Sequence, residues 1–247
     1  MKKILGIDVG ATGIKGAIVD TTAGEMITER IKLATPKGGK PHDMIQTMHA
    51  LIKEHNWEGK PIGVGFPAVI LQNKVMTASN IDDTWIGKDI VKLIKKETGN
   101  PNVVVNDADA AGMAEITFGL GKNKPGTVIL LTLGTGIGSA LFNNGILMQN
   151  TELGHLKFKG SAAEKKVSNS ARVSKELDWK SYGKALGEYL DHVNFLFSPT
   201  LILLGGGISK KFKNYGKYFP EHLNVVPASM QNNAGIIGAA MSYEALS

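Results

Sequence analysis

Two matching glycine turns constrain this chain more than any other feature. Residues 4–9 and 14–20 read as β-strands joined by Gly10-Ala11-Thr12-Gly13, a cluster of turn formers between apolar runs. Residues 128–133 and 138–142 flank Gly134-Thr135-Gly136-Ile137 in the same way, and the two turns begin 124 residues apart in a chain of 247. The repeat predicts an internal duplication: two similar α/β lobes of about 120 residues facing each other.

The intervening pattern fits two such lobes. Helical spacing appears at 43–55, where Met44, Ile45, Met48, Leu51 and Ile52 share a face, and in the lysine-rich stretch 90–98. Strands are expected at 62–66 and 103–105, the latter running into Asn106-Asp107, with a helix at 108–118 opening a crossover. In the second half, 182–197 has a strong apolar stripe that stops at Pro199, and strand 201–204 enters Gly205-Gly206-Gly207. The last helix, 234–246, is rich in glycine and alanine, which predicts close packing against another element. The expected division is 1–108 for a smaller first lobe and 109–233 for a larger second one, with the C-terminal helix, about 234–247, returning to the first.

Composition excludes several classes of chemistry. The chain has no cysteine, which removes disulfides, thiolate metal sites and a cysteine nucleophile. No stretch approaches the 18 or more apolar residues of a membrane span, and the N-terminal MKKILGIDVG lacks the features of a secretory signal, so a cytoplasmic protein is expected. The net charge of +6 permits an anionic partner. It is unevenly placed: residues 151–220 hold 12 Lys/Arg against 6 Asp/Glu, and the remainder balances.

A glycine turn with a threonine hydroxyl suits a phosphate oxygen, because glycine lets backbone N–H groups approach and adopt positive φ. An ordinary hairpin turn is the competing reading for either turn alone. Three features favour phosphate: the duplication, the third glycine cluster after a strand, and Asp8, a carboxylate interrupting the first apolar strand just before its turn. Beside phosphates, Asp8 makes sense if Mg²⁺ lies between them, bound directly or through water. Lys15 adds a point charge, or is merely solvated. No GxxxxGK[ST] or GxGxxG occurs, which disfavours a P-loop or a dinucleotide fold.

These residues resemble a known family. GIDVGATGIKGAIVD and LTLGTGIGSAL are similar to the two phosphate motifs of the actin-like sugar kinases, and LILLGGGIS to their nucleotide-side glycine cluster. VNDADAAGMAE, NTELGHL, SNIDDTW and NNAGIIGAA resemble the ROK family (repressors, open reading frames and kinases), most of all its polyphosphate-using branch. The ordered set runs from about residue 4 to 240. It implies a two-lobed actin-like (ribonuclease H-like) ATPase fold with an interlobe cleft. The implied reaction moves the terminal phosphoryl group of polyphosphate, with ATP as a second donor, to the 6-hydroxyl of glucose. Mg²⁺ is the implied cofactor and a homodimer the implied assembly.

Residue roles follow from the same resemblance. Asp107 is the implied general base; read from the residues alone, it is equally a helix N-cap, and Asp109 shares the ambiguity. Glu152 and His155, in a Glu-x-Gly-His pattern, are the implied ligands of sugar hydroxyls, together with Glu164, Asn106 and Asn80. Gly10, Thr12, Gly13, Lys15, Gly134, Thr135, Gly136, Gly205 and Gly206 are the implied donor-phosphate set, with Asp8 as the metal ligand.

Two departures from the family pattern matter. Most ROK sugar kinases carry a cysteine-rich zinc motif after the Gly-His element, whereas this chain has Lys157-Phe158-Lys159-Gly160, so no zinc site is expected and His155 is left for the sugar. That loss is typical of the polyphosphate-using branch. Ala11 stands where the family usually has glycine, and its methyl is tolerable only at negative φ. The surplus of lysines at 151–220 offers a polyanion track, the alternative being solvated helix faces. Nucleic acid is not expected, because no helix-turn-helix precedes Ile4 and aromatics make up only 6% of the chain. The remaining rivals are a strictly ATP-dependent hexokinase or fructokinase and a catalytically silent sugar-binding regulator.

Overall fold

The computed structural model describes residues 2–79 and 81–247, apart from the side chain of Asn232. It divides into two compact units, Met1–Ala114 with Asn233–Ser247, and Glu115–Asn232. The division falls between Ala114 and Glu115, six residues beyond the expected 108/109.

The first unit is built on a six-stranded sheet. Strands β1 (Lys3–Gly10), β2 (Gly13–Asp20) and β3 (Glu25–Met26) form an antiparallel meander, and β4 (Ile31–Leu33) also pairs with β2. After helix α1 (Pro41–Glu54), β5 (Ile62–Phe66) lies parallel to β1. A small ribbon of β6 (Ile70–Leu71) and β7 (Lys74–Val75) and helix α2 (Ile90–Thr98) precede β8 (Asn102–Asn106), which lies parallel to β5. The order is β3-β2-β1-β5-β8.

Local signals account for these elements. Proline starts α1, where its missing N–H is no loss. The Asp89 side chain caps α2 by accepting from Lys92 N (2.9 Å), and Gly99 ends it in the left-handed conformation at φ 75°. Alternation in β1 sends Leu5, Ile7 and Val9 into the core against Met44, Ile45, Met48, Leu51 and Ile52 of α1. It leaves Gly6, Asp8 and Gly10 on the other face, where the last helix, α8 (Ala234–Leu246), packs against β1, β5 and β8.

The approach of α8 explains two glycines. A Cβ at Gly6 would lie 2.0 Å from the Ile236 carbonyl oxygen, and one at Gly63 would lie 1.7 Å from that of Ala239. On its other side Gly238 of α8 touches α3 (Asp107–Thr117), where a Cβ would meet the Ala110 carbonyl at 1.6 Å. The chain passes along α3 into the second unit.

The second unit repeats the plan. Strands β9 (Thr127–Leu133), β10 (Ile137–Asn143) and β11 (Ile146–Met148) form the antiparallel meander, and β14 (Leu201–Gly205) and β15 (Val225–Pro227) continue in parallel from β9. The order β11-β10-β9-β14-β15 repeats the path β3-β2-β1-β5-β8 of the first sheet, in which β4 is an additional strand. Between the meander and β14 lie the ribbon β12 (Lys157–Phe158) and β13 (Ser161–Ala162), and helices α4 (Glu164–Val167), α5 (Asn169–Ser174) and α6 (Trp179–Phe197); the short α7 (Phe212–Tyr215) precedes β15. Helix α6 starts three residues before the apolar stripe because Asp178 caps it, accepting from Ser181 N at 2.7 Å. Its Tyr182, Leu186, Tyr189, Leu190 and Val193 join Ile129, Leu131, Leu133, Ile202 and Leu204 in the core. Among the described residues no helix is long and apolar enough to cross a membrane.

Candidate active site

In each unit the candidate residues gather at the carboxyl ends of the parallel strands, the edge at which open α/β sheets bind ligands. In the first unit, register pairs Asp8 of β1 with Gly65 of β5, and Gly65 with Val105 of β8. Asp8 and the Asn106-Asp107 step thus lie two strands apart on one edge, about 10 Å by strand spacing.

Asp8 is held from two sides. The Lys15 ammonium, directly opposite on β2, lies 2.9 Å from its Oδ2. A Cβ at Gly235, in the first turn of α8, would come within 3.0 Å of its Cγ, so glycine there makes room for the carboxylate near a helix N-terminus. Lys15 is thereby committed to Asp8 as well as offered to the edge.

The first turn differs from the sequence expectation. Gly10 pairs with Gly13, so the connection is only Ala11-Thr12, and none of the four residues has positive φ. Ala11 therefore carries its methyl without strain. Glycine serves close approach instead: a Cβ at Gly13 would lie 2.2 Å from Lys32 Cε and 3.2 Å from the Leu33 carbonyl. The Gly10 carbonyl accepts from the Thr35 hydroxyl at 2.6 Å, leaving Thr12 exposed at the tip.

At the end of β8 the structure separates three polar neighbours. Asn106, buried, caps α3: its Oδ1 accepts from Ala108 N (2.9 Å) and Asp109 N (3.2 Å), while Nδ2 donates to the Ala68 carbonyl (3.2 Å). Asp109 is 1% exposed. Asp107 is half-buried, and its Oδ1 accepts from Ala108 N at 2.8 Å. The helix-capping role that competed for Asp107 is largely filled by Asn106, which in turn keeps few polar positions for a sugar. Asn80 lies outside the described residues.

In the second unit the glycine turns are neighbours. Strand β14 pairs Gly205 with Thr132, and a Cβ at Gly206 (φ 81°) would lie 2.5 Å from the Leu133 carbonyl, one residue before Gly134. Here positive φ and close approach both require glycine. The turn at 134–136 has no positive φ; Gly134 N donates to the Gly136 carbonyl (3.0 Å), and Ser170 N of α5 donates to the Gly134 carbonyl (3.1 Å).

The Glu-x-Gly-His segment docks on the strand that leaves this turn. A Cβ at Gly154 would sit 2.2 Å from the Ile137 carbonyl, which accounts for the glycine. Ser139 Oγ donates to the Thr151 carbonyl (2.6 Å) and accepts from Leu153 N (2.9 Å), and Tyr189 donates to the Leu153 carbonyl (3.0 Å). Glu152 and His155 face each other at 3.6 Å. Burial pushes the Glu152 carboxyl above its ordinary value; His155 opposes the rise and the nearby Glu164 carboxylate adds to it. Glu164, first residue of α4, also accepts from Ile137 N at 3.3 Å. Glu152, His155, Glu164 and the second glycine turn are therefore one cluster.

Comparison with known proteins places the chain in a family. A model described as the ROK family matches residues 4–169. A polyphosphate glucokinase of Mycobacterium tuberculosis (strain CDC 1551 / Oshkosh) is 43% identical over 238 residues, 96% of this chain and 89% of that protein. The chain belongs to the ROK family. The structure of an inorganic polyphosphate/ATP-glucomannokinase from Arthrobacter sp. strain KM superposes with a TM-score of 0.96 at 42% identity, covering 100% of both chains. A ROK glucokinase from Streptomyces griseus, solved with glucose and AMPPNP, aligns at a TM-score of 0.81 over 97% of this chain and 98% of that one; at 22% identity it speaks for the fold alone. The fold is thus the actin-like ATPase fold of ROK sugar kinases.

The supports of the Glu152–His155–Glu164 cluster carry little signal in the sequence. Ser139, Thr151 and Tyr189, which fix the Glu-x-Gly-His segment, carry no motif. Ser139 alone had a signal: it is a hydroxyl inside an otherwise apolar strand, and it is 1% exposed. Of the basic side chains at 151–220, several are engaged locally. Lys159 pairs with Glu188, Arg172 stacks on Trp179 at 4.3 Å, Lys175 donates to the Lys165 carbonyl, and Lys217 lies over Tyr218. Lys210, Lys211 and Lys213, just after the glycine cluster, are exposed.

Proposed function

We infer that this chain is a polyphosphate-dependent glucose phosphotransferase, transferring the terminal phosphoryl group to the 6-hydroxyl of glucose. The observation that carries the reading is 43% identity, over nearly the full length, to a polyphosphate glucokinase, combined with the Glu152–His155–Glu164 cluster beside a glycine turn. ATP is a second donor in this reading, in keeping with the polyphosphate/ATP kinase whose fold it shares so closely.

Phosphoryl transfer leaves little covalent work for a protein, so positioning and charge dominate. Glu152, His155 and Glu164 hold sugar hydroxyls, and Asn106 fixes the start of α3, from which Asp107 accepts the 6-hydroxyl proton. The turns at 10–13 and 134–136, with Gly205 and Gly206, hold donor oxygens through backbone N–H groups. A divalent cation fits Asp8, since Mg²⁺ takes one or two carboxylates and completes its shell with phosphate oxygens and water. Among the described residues no three His, Asp or Glu side chains gather as a metal cage. When bound, Mg²⁺ neutralises charge on the donor phosphates. We place the enzyme in the cytoplasm and propose a homodimer, which sedimentation of the purified protein checks.

Assays with polyphosphate and ATP over several hexoses test the reading. Turnover of glucose with polyphosphate is expected, and activity with ATP alone overturns the donor assignment. The variant Asp107→Asn is expected to lose about 10²–10⁴-fold in kcat while binding glucose as before. An inactive wild type that binds glucose would instead mark a regulator.

A further inference from the structure

Glu164 occupies an unexpected place for a sugar ligand. Its Oε2 accepts the Ile137 N–H, and it stands 2.4 Å from where a Cβ on Gly136 would lie. Gly136 has no positive φ, so its backbone does not demand glycine. The space that glycine leaves is filled by this carboxylate.

A carboxylate oxygen and a phosphate oxygen are both anionic acceptors. They cannot share one N–H, and at such range each raises the energy of the other. With Glu164 in the turn, the turn is closed to the donor. The same side chain lies within electrostatic reach of Glu152, whose partner at 3.6 Å is His155. One half-buried side chain thus touches the turn and acts electrostatically on the Glu152–His155 pair.

We propose that Glu164 is a positioning residue that couples the two substrates: it closes the 134–137 turn in the free enzyme and is drawn out by sugar hydroxyls, opening the turn to a donor phosphate. This rests on the reading of the turn as a donor site and of Glu152–His155 as a sugar site. Coupling is reciprocal, so sugar tightens donor and donor tightens sugar by one factor. The device also disfavours phosphoryl transfer to water when no sugar is present.

The test uses tripolyphosphate as donor probe and xylose, which lacks the carbon bearing the acceptor hydroxyl, as sugar. Calorimetric titration of the wild type is expected to show xylose tightening tripolyphosphate at least about fivefold. Glu164→Ala is expected to bind tripolyphosphate without sugar as tightly as the wild type does with xylose, to lose the coupling, and to hydrolyse polyphosphate faster in the absence of glucose. Glu164→Gln, which keeps the acceptor but not the charge, is expected to fall between them. If both variants raise only the glucose KM and leave sugar-free tripolyphosphate affinity unchanged, Glu164 is a sugar ligand alone and the coupling is overturned. A wild type that neither binds tripolyphosphate nor turns over polyphosphate overturns the underlying reading as well.

Discussion

At the scale of single residues, the site is assembled against the stability of the free protein. Glu152 is half-buried beside another carboxylate, and its carboxyl is displaced above the ordinary value of 4.5. A carboxyl raised in the fold holds its proton over an interval where the unfolded chain has released it. Stability therefore falls as pH rises through that interval and stays lowered above it. Glu152→Gln removes the liability and the proposed sugar contact together. Its melting temperature should exceed that of the wild type at neutral pH, and the difference should vanish below the ordinary carboxylate range. Its glucose KM should rise about 10–100-fold, as for loss of a hydrogen bond to a charged group. Thermal unfolding across pH 4–8, beside glucose kinetics, checks both; superimposable melting curves at every pH would mean that burial of Glu152 is not strained.

At the scale of elements, α8 organises the first unit by lying directly on its sheet. Gly6 and Gly63 are not turn formers; they are the places where two backbones meet. Gly63→Ala forces a methyl against the Ala239 carbonyl, a rigid neighbour, and overpacking of this kind costs about 1–3 kcal/mol. A fall of several degrees in melting temperature is expected, and an unchanged one would show that α8 can slide. This contact also shows where sequence reading stops. The stripes of α1 and α6 and the glycine and alanine of α8 were legible, because periodicity and composition are local. The docking partner of Gly63 is not local: it is residue 239, and no neighbour in sequence signals it. The same holds at the site. Glu152, Gly154 and His155 formed a readable motif, whereas Ser139, Tyr189 and the Ile137 carbonyl that hold them lie on other elements. The sequence left Asp107 between a base and a helix cap, and did not signal that the neighbouring Asn106 accepts from both Ala108 N and Asp109 N.

At the scale of the whole molecule, the duplication and the charge act differently. The two sheets share one strand order along their main path, so strand ends recur at the same edge, although the first glycine turn spans two linking residues and the second three; only the second half carries the basic surplus. A chain polyanion gains from many weak, screened contacts, each lost as salt rises, whereas a short donor held at a turn does not. Lys159, Arg172, Lys175 and Lys217 have local partners, and of the other basic side chains the exposed Lys210, Lys211 and Lys213 stand nearest in sequence to the glycine cluster, which makes them the strongest candidates for such contacts. These three follow the Gly205-Gly206 turn directly, on the stretch from Gly207 to Lys211 and the start of α7. Replacing all three by glutamate should raise the KM for long polyphosphate about tenfold or more at low salt, and flatten its salt dependence. The KM for ATP and for glucose should change little, because those ligands do not extend along the segment. Steady-state kinetics with polyphosphates of graded length, at two ionic strengths, separate the outcomes. A uniform loss with every donor would mean that the lysines serve the glycine turn itself, and no loss would return them to solvent.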